Sequence, residues 1–175
     1  MEAIPLAYFI TFSCSGARLH GDEAGSVDRN HNIPRTPHLS PDSQRLQMER
    51  HRMNADSYEM DAQRRNLVLS TTHEVCSYRC WSLLAAQVRT NHVHIVVHAA
   101  TAPERIMNDI KVYASRLLNS QNVDRLRRKH WARHGSTRYL WKPEQVEAAI
   151  QYVVYEQGEP IAVFEQIDRR LLTNL

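Results

Sequence analysis

The stretch RTNHVHIVVHA, residues 89–99, decides the fold of this sequence. Its polar and apolar residues alternate, and successive side chains of a β-strand point to opposite faces of a sheet. The alternation predicts a strand with an imidazole face, made by His92, His94 and His98, and an apolar face, made by Val93, Ile95 and Val97. Two imidazoles on one face can bind one divalent metal ion, although the solvated face of an antiparallel sheet gives the same pattern. His98 lies about 13 Å beyond His94 at the strand rise, so it is expected to support such a site or to face solvent.

The hydrophobic periodicity predicts six further elements around this strand. They are a strand over residues 4–14, a helix over about 56–78, a strand over 80–90, a helix over 101–121, a strand over 136–141 and a last helix from about Lys142 to Gly158. The first six elements of the complete order are β-α-β-β-α-β. This order predicts an α+β fold, a ferredoxin-like antiparallel sheet with helices on one face, followed by a C-terminal helix that carries Tyr152. Residues 1–175 are predicted to form a single domain with a long loop insertion at about 15–55.

Composition limits the class of protein. The net charge of +3 does not by itself indicate nucleic acid. No apolar run approaches the roughly 20 residues of a membrane span, so no membrane partner is expected. The N-terminal sequence lacks a signal-peptide pattern, which predicts a cytoplasmic protein. The three cysteines, Cys14, Cys76 and Cys80, favour reduced and mostly buried thiols over a disulfide or a zinc site.

Basic residues are concentrated in one segment, residues 124–138. It contains one aromatic and several cationic side chains that suit a phosphate backbone with a base stacked beside it. The candidate nucleic-acid-binding residues are Arg127, Arg128, Lys129, Trp131, Arg133 and Arg138. A solvated, charged helix end and loop is the alternative interpretation of the same segment.

The last helix offers a chemical partner for the histidines. Its apolar stripe is formed by Val146, Ile150, Val153 and Val154, and Tyr152 falls away from that stripe. Glu156 follows Tyr152 by four residues and shares its face of the helix, whereas Gln157 comes next, where the helix is expected to end. Tyr155 is the alternative candidate nucleophile, but the residue four positions after it is less suitable as a metal ligand.

These residues together resemble a known family. NHVHIVV on a strand is similar to the His-hydrophobe-His motif of HUH endonucleases, and a tyrosine on a late helix after RHGSTRYLW resembles the single-tyrosine transposases of the IS200/IS605 type and their REP-associated relatives. The resemblance implies that Mg²⁺ or Mn²⁺ is held by His92, His94 and one polar residue after the tyrosine. It also implies that the Tyr152 hydroxyl attacks single-stranded DNA at hairpin-forming ends and forms a 5′-phosphotyrosine. The resemblance leaves the oligomeric state open, because many small members of the family are homodimers whereas longer relatives can act as monomers.

The sequence departs from the family pattern at the third metal ligand. The family places a glutamine four residues after the tyrosine, but here that position is Glu156 and the glutamine is Gln157. Residue type favours Gln157 and helical phase favours Glu156, so both are candidate metal ligands. Two other functions stay open: a domesticated module that binds hairpin DNA or RNA without cleavage, and a metal-dependent hydrolase in which the tyrosine is structural.

Overall fold

The computed structural model describes residues 4–17, 43–44, 47–48, 56–121, 123–124 and 128–166. Eight helices and strands follow one another within these ranges. They are β1 (Ala7–Cys14), α1 (Ala62–Tyr78), β2 (Ser82–Val88), β3 (His92–His98), α2 (Pro103–Ser120), β4 (Trp131–Leu140), α3 (Pro143–Tyr155) and β5 (Ala162–Glu165). The first six confirm the predicted β-α-β-β-α-β order and the α+β class.

The five strands form one antiparallel sheet in the order β4-β1-β3-β2-β5. The strand that bears the histidines is therefore central, between β1 and β2. Its apolar face is fully buried, since Val93, Ile95 and Val97 are each 0% exposed. The alternation read from the sequence is confirmed.

The helices divide between the two faces of the sheet. Helices α1 and α2 cover the face of Val93 and Ile95 and form the larger core with it. Helix α3 lies on the opposite face, where Val146 and Val153 pack against Val96 of β3. The tyrosine-bearing helix therefore lies on the same face of the sheet as the histidines.

The structure defines both ends of α3 and shows a further strand, β5, after it. Trp141 and Lys142 donate backbone N–H groups to the Gln145 side chain, which caps the start of α3. The helix ends before Gly158, whose φ of 77° lies in the left-handed region that favours glycine. The apolar residues that follow form β5, which pairs with β2 and was not predicted as a strand.

Strand β4 begins five residues earlier than predicted, and this corrects the interpretation of the basic segment. Trp131 lies in the core at 7% exposure, packs edge-on against Phe12 and donates its indole N–H to the Lys111 carbonyl oxygen at 3.0 Å. These contacts anchor the start of the strand. A Cβ atom at Gly135 would meet Met107 Sδ and would lie 2.6 Å from the Thr11 carbonyl oxygen, so glycine permits the close approach of β4 to β1.

The predicted insertion at about 15–55 lies largely outside the described residues, and the single-domain organisation stays a prediction. All three cysteines are free, and Cys14 and Cys76 are buried. Within the described ranges, no helix is both long and apolar enough to cross a membrane.

Candidate active site

His92 and His94 lie together on the face of β3 that helices α1 and α2 leave uncovered. The centroids of their rings are 4.7 Å apart. His92 is half-buried, and His94 is 6% exposed. His98 lies outside this pair and its Nδ1 is hydrogen-bonded to the Leu6 carbonyl oxygen at 2.8 Å. The structure therefore brings together the two histidines that the sequence selected.

Oxygen atoms orient both rings. His92 Nδ1 lies 2.8 Å from Asn91 Oδ1, which accepts hydrogen bonds, so Nδ1 is the donor and, in the neutral ring, the lone pair is on Nε2. His94 Nδ1 lies 2.8 Å from Thr11 Oγ1 on the neighbouring strand β1. When Nδ1 donates to that hydroxyl, His94 has the same tautomer as His92. Such contacts are the usual way in which a protein fixes imidazoles for metal binding.

Tyr152 lies beside His94. The two ring centroids are 5.8 Å apart, and the Tyr152 side chain is 40% exposed. Phe9 contacts both, since it stacks on His94 at 5.6 Å and meets Tyr152 edge-on at 5.8 Å. The tyrosine is therefore held against the histidines while its surface stays accessible to a substrate.

Tyr155 is directed elsewhere. Its hydroxyl donates a hydrogen bond to Glu165 Oε2 on β5 at 2.8 Å. The Tyr152 ring, by contrast, lies 5.8 Å from the His94 ring. This contact supports Tyr152 as the first of the two candidate nucleophiles.

The residues after Tyr152 form the turn at the end of α3. Glu156 is the exposed C-cap residue, and its backbone N–H donates to the Tyr152 carbonyl oxygen at 3.2 Å. Gln157 is half-buried. Arg89, which follows β2, donates from Nη1 to the Glu159 carbonyl oxygen at 2.7 Å and so attaches this turn to the β2–β3 hairpin. In the part of the chain that is described, no three His, Cys, Asp or Glu side chains form a metal-binding group, so the third ligand stays a prediction.

A row of polar side chains crosses the sheet through His94, and sequence reasoning missed most of it. Thr11 pairs with Ser136 on β4 and with His94 on β3, and His94 pairs with Gln87 on β2. Gln87 is fully buried, and neither of its amide atoms is hydrogen-bonded to a residue that the structure describes. Two imidazole nitrogens and a nearby carboxamide oxygen are donors that fit a divalent ion such as Mn²⁺. These residues come together because of the strand register, which cannot be predicted from a single sequence.

The residues of the predicted nucleic-acid surface differ in exposure and in location. Arg128 is half-buried, with its guanidinium over the Tyr58 ring and one N–H donated to the Asp56 carbonyl oxygen. The exposed ones are Lys129, Arg133 and Arg138. Arg138 pairs with Phe9 in the sheet and so lies on the face of the histidines. Trp131 lies in the core, as described above, and Arg127 lies outside the described residues.

An exposed aromatic pair lies at the end of β4, and the sequence analysis did not select it for DNA binding. Tyr139 and Trp141 are 44% and 49% exposed, and their rings stack with centroids 6.1 Å apart and planes 18° apart. Arg138 and Lys142 are their neighbours in the chain. This pair offers the exposed ring surface that Trp131 lacks.

A family comparison agrees with the motif. The model of the family described as "Transposase IS200 like" matches residues 49–152, more than half of the chain, and the matched range contains both histidines and ends on Tyr152. The solved structure of the REP associates tyrosine transposase bound to a REP hairpin is similar with a TM-score of 0.48 and 9% identity, over 88% of this chain and 67% of that one. No curated protein matches the sequence.

Proposed function

This chain belongs to the family of IS200-like transposases, and we propose that it cleaves and rejoins single-stranded DNA at hairpin-forming ends through Tyr152. The observation that carries the proposal is the contact of the Tyr152 ring with His94 of the same chain, at a centroid distance of 5.8 Å. A nucleophile beside two paired imidazoles, open to solvent on one side, suits attack on a phosphodiester.

The chemistry conserves bond energy. The Tyr152 oxygen attacks the scissile phosphorus, the bond to the 3′ oxygen breaks, and that oxygen takes up the proton that the tyrosine loses. The products are a 5′-phosphotyrosine and a free 3′-hydroxyl. Attack of a 3′-hydroxyl on the phosphotyrosine reverses the step, so the strand is rejoined without ATP.

A divalent ion, Mg²⁺ or Mn²⁺, is part of the proposal. His92 and His94 would hold it through Nε2, with Gln157 or Glu156 as candidates for a further ligand from the end of α3. When bound, the ion supplies Lewis-acid polarisation of the scissile phosphate. Thr11 and Asn91 keep the two rings oriented, and Phe9 holds His94 and Tyr152 at a fixed separation.

The DNA would approach over β4. The exposed cations Lys129, Arg133 and Arg138 suit contacts with phosphates. Arg138 lies on the face of the active site, so it is placed for the phosphates nearest the scissile bond. We also propose that the protein acts in the cytoplasm, a location that its three free cysteines support.

A covalent-adduct assay tests the proposal. The purified protein is mixed with Mn²⁺ and a labelled pool of single-stranded hairpin oligonucleotides, and adducts are resolved on a denaturing gel. We expect a covalent band for the wild type and for Tyr155→Phe, and none for Tyr152→Phe. A band that persists in Tyr152→Phe contradicts the assignment of the nucleophile.

Two other results would identify the alternative functions. Free 5′-phosphate ends without a covalent band would indicate a hydrolase with a structural tyrosine. Tight hairpin binding by the wild type without any cleavage in the pool would indicate a module that only binds DNA or RNA.

A further inference from the structure

Gln87 is a fully buried side chain whose carboxamide has no hydrogen-bond partner among the described residues. It is 0% exposed, and within the described ranges neither Oε1 nor Nε2 is paired. Among the described residues, Arg65 and Arg79 also contain a buried Nε without a hydrogen-bond partner, but each makes another polar contact, and the buried Asp109 Oδ2 lies 3.0 Å from Arg79 Nη2. A buried polar group without a hydrogen-bond partner destabilises the folded state, so such a residue calls for an explanation.

The position of Gln87 supplies the explanation. Gln87 is directly opposite His94 across the β2–β3 pairing, and the Cβ atoms of such cross-strand pairs lie about 4.5–5.5 Å apart. Thr11 is opposite His94 on the other side and contacts Nδ1. His94 therefore lies between a hydroxyl that orients its ring and a carboxamide with no assigned role.

The same part of β2 also lies beside the end of the tyrosine helix. Gln87 pairs with Val163 of β5, the strand that begins just after the turn at the end of α3. Arg89, two residues along β2, holds this turn through the Glu159 carbonyl oxygen. Gln87 is thus bordered by the histidine strand on one side and by the segment that follows Tyr152 on the other.

We propose that Gln87 Oε1 is a ligand of the divalent ion that His92 and His94 bind, an inference that rests on the proposed function. A carboxamide oxygen is the kind of hard, neutral donor that Mg²⁺ and Mn²⁺ accept. Two imidazoles and a carboxamide carry no charge, so the ion would keep its full positive charge for the anionic scissile phosphate. Unlike Glu156 and Gln157, which follow the last turn of a helix, Gln87 is held in the middle of the sheet.

The proposal predicts opposite effects on metal affinity and on metal-free stability. Gln87→Met keeps the approximate volume of the side chain and removes the unpaired amide. The metal-free variant should therefore melt at the same temperature as the wild type or higher. Its affinity for Mn²⁺ should fall by about tenfold or more, as expected for loss of a supporting metal contact. A purely structural glutamine would give the reverse pattern.

The experiment measures Mn²⁺ binding to the full chain by calorimetry and by the electron paramagnetic resonance signal of Mn²⁺. Melting curves are recorded without metal and with Mn²⁺. Gln151→Met is the matched control, because Gln151 is exposed on α3, and it should bind Mn²⁺ as the wild type does. Gln87→Glu supplies a charged oxygen at the same place, so Mn²⁺ should raise its melting temperature more than that of the wild type.

Wild-type Mn²⁺ affinity in Gln87→Met overturns the inference, and so does a marked loss of metal-free stability in that variant. A smaller Mn²⁺-induced rise in melting temperature for Gln87→Glu than for the wild type also overturns it. His94→Ala separates this failure from failure of the proposed function. If the wild type binds Mn²⁺ and His94→Ala binds it equally well, the metal site of the proposed function is wrong, and the inference about Gln87 is wrong with it.

Discussion

The ring of Tyr152 lies 5.8 Å from the ring of His94 in the same chain, and Phe9 contacts both rings. A single chain therefore brings a candidate nucleophile and a candidate metal ligand together. The Arg89 contact to the Glu159 carbonyl oxygen attaches the turn after the tyrosine helix to the histidine hairpin and supports this arrangement. A homodimer and a monomer both stay open as predictions, and this contact favours a site built within one chain.

Thr11→Val should slow formation of the covalent adduct by about 10- to 100-fold, because the variant loses the oxygen that orients His94 Nδ1. Thr11→Ser keeps that oxygen and should react nearly as fast as the wild type. The rate is measured in single-turnover reactions with labelled hairpin DNA.

Thr137→Val is the matched control for this substitution. Its hydroxyl donates to Glu104 on α2, away from the histidines. Equal slowing by Thr11→Val and Thr137→Val would indicate general damage to the sheet and would contradict the orienting role of Thr11.

Trp141→Ala and Tyr139→Ala should each weaken binding of single-stranded DNA by about 5- to 100-fold. Their exposed, stacked rings offer a surface for bases, and such stacking contributes about 1–3 kcal/mol per base. Fluorescence anisotropy with an unstructured oligonucleotide measures the affinity. Tyr78→Ala is the control, since Tyr78, at the end of α1, is also exposed and has the Arg79 guanidinium over its ring. An equal loss of affinity in Tyr78→Ala would rule out a specific platform at β4.

Asp124→Asn should lower the free energy of unfolding at pH 7 by about 2 kcal/mol or more. Burial favours the neutral form of Asp124, but hydrogen bonds from His130, Arg64 and Tyr58 outweigh it and hold the pKa of the carboxyl below its usual value. A carboxyl with a lowered pKa in the folded state stabilises the protein above the pKa of the unfolded chain, about 3.9. This stabilisation is lost as the pH falls through the folded-state pKa.

The stability difference between the wild type and Asp124→Asn should therefore be largest near neutral pH and should shrink below about pH 4. Urea titrations across this pH range measure it. Glu74→Gln, at an exposed position of α1, should change stability little at any pH. A difference that stays constant from pH 7 to pH 3 would argue against a contribution from the ionised carboxylate.

Gly135→Ala should destabilise the protein by about 1–3 kcal/mol, because the added Cβ collides with the Thr11 backbone and with Met107. The melting temperature measures this effect. Ser136→Ala is a suitable neighbour for comparison, since Ser136 is exposed and its Cβ is already present. A Gly135→Ala protein as stable as the wild type would show that β4 can shift away from β1 without cost.

Much of this fold follows from local patterns in the sequence. The alternation in β3 identified both the buried valines and the imidazole face, and the helical phase of α3 selected Tyr152 before its contact with His94 was known. Trp131 was misread because a basic, aromatic segment looks alike in an exposed loop and at the start of a strand. Its burial depends on Phe12 and Lys111, which are distant in the chain. Gln87 was missed for the same reason, since its position opposite His94 depends on the strand register.

Mixing two inactive variants tests most directly whether one chain contains the complete site. Tyr152→Phe lacks the nucleophile, and His94→Ala lacks a candidate metal ligand but keeps Tyr152. The two are mixed with Mn²⁺ and labelled hairpin DNA, and covalent adducts are counted by intact-mass spectrometry. Our account predicts no more adduct in the mixture than in the separate reactions. Adduct restored on the His94→Ala chain would show that Tyr152 serves the histidines of a partner and would contradict the single-chain active site.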